Sequence, residues 1–137
     1  MLRRRIGHDA PVRKLLTLAI AEARTGAATG GIPIGAALAE GDRLLGVGHN
    51  RRVQMNSAIR HGETDCVENV GRLPASVYAR ATMATTLSPC DMCTGAILLY
   101  GIPHVVIGGN STFYGGEDYL RSRGVEVVVV DYASARR

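Results

Sequence analysis

The stretch at residues 85–103, TTLSPCDMCTGAILLYGIP, constrains this chain more than any other. It reads as the end of a strand, a turn at Ser88-Pro89, and a helix that opens on Cys90 and Cys93. Pro89 suits that boundary, because its fixed φ and missing N–H do no harm at a helix start. Residues three apart on a helix are separated by about 300° and share a face. At a helix N-terminus the free N–H groups and the positive end of the macrodipole favour thiolate over thiol. Two adjacent thiolates repel unless a cation holds them, which points to a metal. Redox dithiols use the same spacing, so a third ligand has to decide between the two.

His61-Gly62-Glu63 supplies it, 29 residues before Cys90. Together the residues form H-x-E…P-C-x-x-C, a pattern that resembles the signature of zinc deaminases. His61, Cys90 and Cys93 as zinc ligands leave the fourth position open, as a catalytic site needs, and Glu63 is then free to carry protons. Cys66 is the one competing thiol. Five positions beyond His61, it falls roughly 140° away around the same helix and should point into the core.

At 137 residues the chain has the length of one domain, read here as spanning 1–137, with 46% hydrophobic residues. No apolar run is long enough to cross a membrane, and Arg3, Arg4 and Arg5 are not followed by the apolar core of a signal peptide. With two of three cysteines assigned to metal, the composition fits a reducing compartment, and the cytoplasm is the expected location. The net charge of +4 raises the question of nucleic acid. Consecutive arginines occur only at Arg3, Arg4 and Arg5, at Arg51-Arg52, and at Arg136-Arg137, two of the three near the termini, and this argues against such a partner.

Taken in order, Asp9 and Pro11 suit the start of a first helix. Val12, Leu15, Leu16, Ala19, Ile20 and Ala23 recur at helical spacing, and the helix should end within 26–31. Residues 32–50 read as a hairpin turning at Gly41-Asp42. The Gly-Ile-Pro-Ile-Gly run entering it, with Ile32, suits close backbone approach to a ligand, although strand entry alone would also explain it. His49-Asn50 closes the hairpin, either as a plain turn or with the Asn50 amide reading a polar edge of a substrate.

A second helix is expected from near His61, with Gly62 kept bare so that a substrate can approach. Residues 81–87 form a third strand, 105–108 a fourth, 116–123 a short helix, and 125–131 a fifth, wholly apolar strand. The helix after Cys90 is apolar nearly all round, so it should be covered on both sides, one by the sheet and one by a second chain. Alternating strands and helices in this half imply parallel neighbours. His8 is expected on the surface.

These residues carry a family. GGIPIGAAL, GHN, HGE, ENVGRL, the 85–103 string and YLRSRGVEVVVVD closely resemble the fungal-type (yeast) cytosine deaminases, from about Gly30 to Asp131. The resemblance implies a three-layer α/β/α fold of the cytidine deaminase-like superfamily, with a central five-stranded mixed sheet, one zinc per chain, and a homodimer. It makes His61, Cys90 and Cys93 the zinc ligands and Glu63 the proton shuttle. By the same resemblance Asn50 and the Gly62 N–H contact the pyrimidine, the Ser88 carbonyl receives the leaving amino group, and Phe113 forms a wall against the base. The implied reaction is hydrolysis of cytosine to uracil and ammonia.

Two departures stand out. After the glutamate the family has an isoleucine-led segment, where this chain has Thr64-Asp65-Cys66. The family's chain also continues past the fifth strand into a helix and tail that supply an aromatic and an acidic residue over the substrate. This sequence ends at Arg137 and has no tryptophan, so weak activity and a cleft open beside Phe113 are expected. Other readings stay open at this point: a deaminase of creatinine, isocytosine or guanine; a tRNA or nucleic-acid deaminase, which typically reads HAE; and a structural zinc module, for which only Cys66 offers a fourth ligand.

Overall fold

A computed structural model describes residues 10–130. Asp9, His8, Asp131 and the arginine clusters at the two termini lie outside the described residues, as does the strand-following tail. The described elements are α1 (Ala10–Ala28), β1 (Gly35–Glu40), β2 (Arg43–His49), α2 (Gly62–Val70), α3 (Ala75–Tyr78), β3 (Ala81–Thr85), α4 (Asp91–Tyr100), β4 (His104–Ile107), α5 (Glu117–Ser122) and β5 (Glu126–Val129). The strands form one mixed sheet in the order β2-β1-β3-β4-β5, with β1 antiparallel to both neighbours and β3, β4 and β5 parallel. The expected five-stranded mixed sheet between helical layers is what the chain forms.

The period of two along β1 decides the layers. Ala36 and Leu38 point to one face, where Cys66, Tyr78, Met83, Ile97, Ile107 and Leu120 pack. Ala37 and Ala39 point to the other, against Val12, Leu15, Leu16, Ala19 and Ile20 of α1. Leu16, Leu38, Met83, Ile97 and Ile107 are almost fully buried, each a contribution of about 1.5–3 kcal/mol. Two glycines let the helices lie directly on the strands. A Cβ on Gly35 would come within 2.1 Å of the Ala19 carbonyl oxygen of α1, and one on Gly48 within 2.3 Å of the Cys66 nitrogen of α2.

One expectation needs correction. The fifth strand is neither wholly apolar nor fully buried: it sits at the end of the strand order, all four residues are half-buried, and Glu126 faces His104 at 3.2 Å. Within the chain, α4 is covered on one side only. Cys93, Thr94 and Ile97 are buried, while Leu99 and Tyr100 are exposed. The short α3 was not anticipated, because one turn is too brief to show a helical period.

The register puts several loop connections at one edge of the sheet. Gly35 pairs with His49, Ala36 with Thr85, and Thr85 with Ile107. The entrance to β1 and the exits of β2, β3 and β4 therefore meet there. Main-chain bonds tie them together: Asn50 N–H to Ile34 O at 2.9 Å, Thr86 N–H to Gly35 O at 3.0 Å, and Ser88 N–H to Gly109 O at 3.1 Å. Crevices beyond the carboxyl ends of parallel strands are where such sheets bind ligands.

Candidate active site

Two helices begin at this edge, and each gives its N-cap residue to the same point. His61 caps α2 and Cys90 caps α4, both with extended backbone (φ −72°, ψ 172° and φ −71°, ψ 178°). The His61 N–H donates to Thr64 Oγ1 at 2.9 Å, which steadies the first turn of α2. Cys90 Sγ lies 3.4 Å from His61 Nδ1, and the ligand atoms of His61, Cys90 and Cys93 all lie within 4.8 Å of one another. Cys66 points away, its Sγ 3.6 Å from the Gly46 carbonyl oxygen inside the core. The expected divergence of Cys66 from the other two thiols is what the helix phase produces.

The trio fits zinc. Bonds of ~2.3 Å to sulfur and ~2.0–2.1 Å to nitrogen at a tetrahedral centre place S and N about 3.6 Å apart, near the observed separation. Burial, with Glu63 and Cys90 alongside, pushes the Cys93 thiol far up, so a bare thiolate is disfavoured until a cation neutralises it. Burial, helped by the Arg52 guanidinium, holds His61 below its ordinary value and so in the neutral form that can ligate. One imidazole and two thiols are the borderline-soft donor set that zinc selects.

Glu63 is 4% exposed and stands beside Cys93 and Thr85. Burial raises its carboxyl to about 7, against opposing pulls from its own main-chain N–H and from those two side chains. A carboxyl poised near neutrality can both take and give a proton at ordinary pH.

The cleft has a volume of about 200 Å³, below the ~300–1,000 Å³ of drug-sized sites, and suits an occupant the size of a single base. Its lining includes Ile32, Asn50, His61, Glu63, Ser88, Cys90 and Phe113, all singled out in the sequence. Asn50 is buried, and its Oδ1 accepts the Arg52 N–H at 3.1 Å, which leaves its Nδ2 donors for the cleft. The Ser88 hydroxyl donates to Glu117 Oε2 at 2.7 Å and accepts the Gly115 N–H at 2.8 Å, so the side chain is held away from solvent. Phe113 lies 43% exposed at the rim. His49 turns from the cleft to α1, where its Nδ1 meets Glu22 Oε1 at 2.9 Å.

Gly62 does not line the cleft. A Cβ there would lie 3.2 Å from both Ile34 Cγ2 and the Ile34 carbonyl oxygen, so its bareness serves the packing of α2 onto the entrance of β1. Cys93 sits behind the lining, buried.

Arg52, Ile34 and Leu87 also line the cleft and escaped the sequence reading. Arg52 could have been suspected from its place two residues after Asn50. Glu117, buried beneath Ser88, left no local signal at all. Arg51 meanwhile turns inward to Asp65 at 2.9 Å, so of the Arg51-Arg52 doublet only Arg52 is exposed.

Known proteins agree with this arrangement. The profile described as cytidine and deoxycytidylate deaminase zinc-binding region matches residues 10–109. A cytosine deaminase of Candida albicans is 52% identical over 117 residues, 85% of this chain and 78% of that protein. A tRNA-specific adenosine deaminase of Streptococcus pyogenes is 37% identical over 90 residues, 65% of this chain but only 57% of its own length. A solved structure of a guanine deaminase from Nitrosomonas europaea superposes with a TM-score of 0.71 at 23% identity, covering 98% of this chain and 84% of that one, a likeness of fold. The matched region runs from α1 past β4 and takes in all three metal donors and the glutamate between them, and on that ground this chain belongs to the cytidine and deoxycytidylate deaminase zinc-binding family.

Proposed function

We propose that this chain is a zinc-dependent cytosine deaminase, a hydrolase converting cytosine and water to uracil and ammonia, with the catalytic apparatus in one domain. The observation that carries the reading is Glu63, buried with a carboxyl near neutrality, beside a zinc-competent trio in a base-sized cleft. The 52% identity to the Candida albicans cytosine deaminase supports cytosine as the base.

His61, Cys90 and Cys93 would hold the zinc, which would supply Lewis-acid activation of the attacking water. Glu63 accepts a proton from that water and delivers it to ring N3 as C4 is attacked. It then takes the second proton from the hydroxyl now on C4 and passes it to the exocyclic nitrogen, and the C4–N bond breaks to release ammonia and leave the C4 carbonyl of uracil. The Asn50 Nδ2 group holds the 2-oxo group, and the Ser88 carbonyl accepts from the departing amine. Ile32 and Phe113 sandwich the ring and exclude water. The N-termini of α2 and α4 favour negative charge where it develops.

The working form is a homodimer in the cytoplasm, a reading supported by Leu99 and Tyr100 standing exposed on the apolar α4. Among the described residues no helix is long and apolar enough to cross a membrane.

Ammonia release by the purified, zinc-loaded protein tests the proposal against cytosine, isocytosine, guanine, creatinine, cytidine and tRNA. Cytosine should be the preferred substrate. Release from tRNA or guanine with none from cytosine would overturn the substrate assignment while leaving the zinc chemistry in place.

A further inference from the structure

Asp65 takes no part in the reaction as described, yet its side chain is fully buried and gathers donors from several residues next to the site. The two carboxylate oxygens divide the work. Oδ2 accepts the His49 main-chain N–H at 3.0 Å, Arg51 Nε at 2.9 Å and Asn69 Nδ2 at 3.3 Å. Oδ1 takes Arg60, Nε at 2.7 Å and Nη2 at 2.6 Å. The Arg51 N–H also donates to the Arg60 carbonyl oxygen at 2.9 Å, closing the neck of the 51–60 loop.

His49 and Arg51 are the residues on either side of Asn50, and Arg60 directly precedes His61. One oxygen therefore brackets Asn50 from both sides, while the other ties the far end of the loop to the start of α2. Among the described residues, Asn50 is further oriented by its own N–H bond to Ile34 O and its Oδ1 bond from Arg52 N–H. A carboxylate that only anchored a loop could grip it anywhere. Here two of the three Oδ2 contacts fall on the neighbours of the residue assigned to read the base. The departure from the family at Thr64-Asp65-Cys66 thus places an acid where two flanking arginines can use it.

We propose that Asp65 is a positioning residue for substrate recognition: through Arg51 and the His49 N–H it sets the aim of the Asn50 amide. The inference rests on the reading that Asn50 contacts the substrate. Hydrogen bonds to a charged group are the strong, directional ones, and a residue held between two of them loses its freedom to swing.

The experiment is a double-mutant cycle on zinc-loaded enzyme with cytosine, using Arg51→Gln and Asn50→Ala, with zinc content and Tm measured for every variant. Arg51 is one-third exposed, so its replacement should fold even if Asp65→Asn does not. Arg51→Gln should raise KM about fivefold with kcat little changed, and in the Asn50→Ala background it should shift KM less than about twofold, the signature of coupled sites. Asp65→Asn, where it folds, should follow the same pattern. Equal KM shifts in the two backgrounds, or a fall in Tm with KM unmoved, would make Asp65 a structural anchor and overturn the proposal. Loss of zinc from Arg51→Gln would overturn it too, by tying the network to the metal. An unchanged KM for Asn50→Ala alone would instead refute the substrate role of Asn50, a failure distinguishable from the others.

Discussion

Helix α2 carries two buried polar clusters on neighbouring turns, and they are completed in opposite ways. Around His61 the chain assembles donors suited to a metal: an imidazole held neutral by burial and, in part, by the nearby Arg52, and two thiols. Around Asp65 it assembles an anion and supplies the cations itself, from Arg51 and Arg60. A buried charge without partners is costly, so the Asp65 carboxylate needs its arginines, and thiolates in the trio would need a metal cation. The clamp is complete as soon as the chain folds. The trio stays incomplete until something arrives from solution, and that incompleteness is what makes it a place for chemistry.

The largest expected effect breaks the trio. Cys93→Ser should abolish zinc retention, measured by metal analysis after gel filtration, and reduce deamination to background. Full zinc in that variant would remove Cys93 from the ligand set. Next comes a change that spares the metal. Glu63→Gln should keep about one zinc per chain while cytosine turnover falls by roughly 10²–10⁴-fold, the range of general acid–base contributions. Near-normal turnover would mean that another group moves the proton.

The clamp gives the contrast. Asp65→Ala leaves two guanidiniums facing each other without an acceptor and should lower the unfolding free energy by about 3 kcal/mol. Because the clamp is internal, that loss should be the same with and without a chelator, whereas the chelator alone should lower the Tm of the parent protein. A penalty that vanished in the apo protein would show the two clusters to be one unit. A charge at the exposed Leu99 should convert a two-chain species to a monomer in sedimentation at micromolar concentration, with little change in fold. A monomer before the substitution would show that the bare side of α4 is not covered by a second copy. Smallest of all, Cys66→Ala should cost about 1 kcal/mol of stability and leave zinc content unchanged. Zinc loss there would favour a structural four-ligand site.

The elements that were legible in the sequence are those whose signal is local. The helical period from Val12 to Ala23 and the turn at Gly41-Asp42 depend on neighbours in the chain and came out where expected. His61, Glu63, Cys90 and Cys93 were legible for a related reason. Metal and proton chemistry tolerate few residue types, and a helix N-terminus restricts where those types can sit. Even the turn of Cys66 away from the site followed from helix phase alone.

Tertiary structure decided the rest. Nothing near Asp65 in the chain says that Arg51 will reach it from the end of β2, nor does anything near Ser88 announce Glu117 on α5. The bareness of Gly62 reads as room for a ligand until Ile34 is seen lying against it. β5 shows as a run of valines in the sequence, but only the strand order makes it a half-buried strand at the end of the sheet. Backbone preference and side-chain period are properties of adjacent residues. The partner of a charged group, and the side of a helix left bare, are set by residues that meet only when distant segments close on one another, so the chain in one dimension does not contain them in readable form.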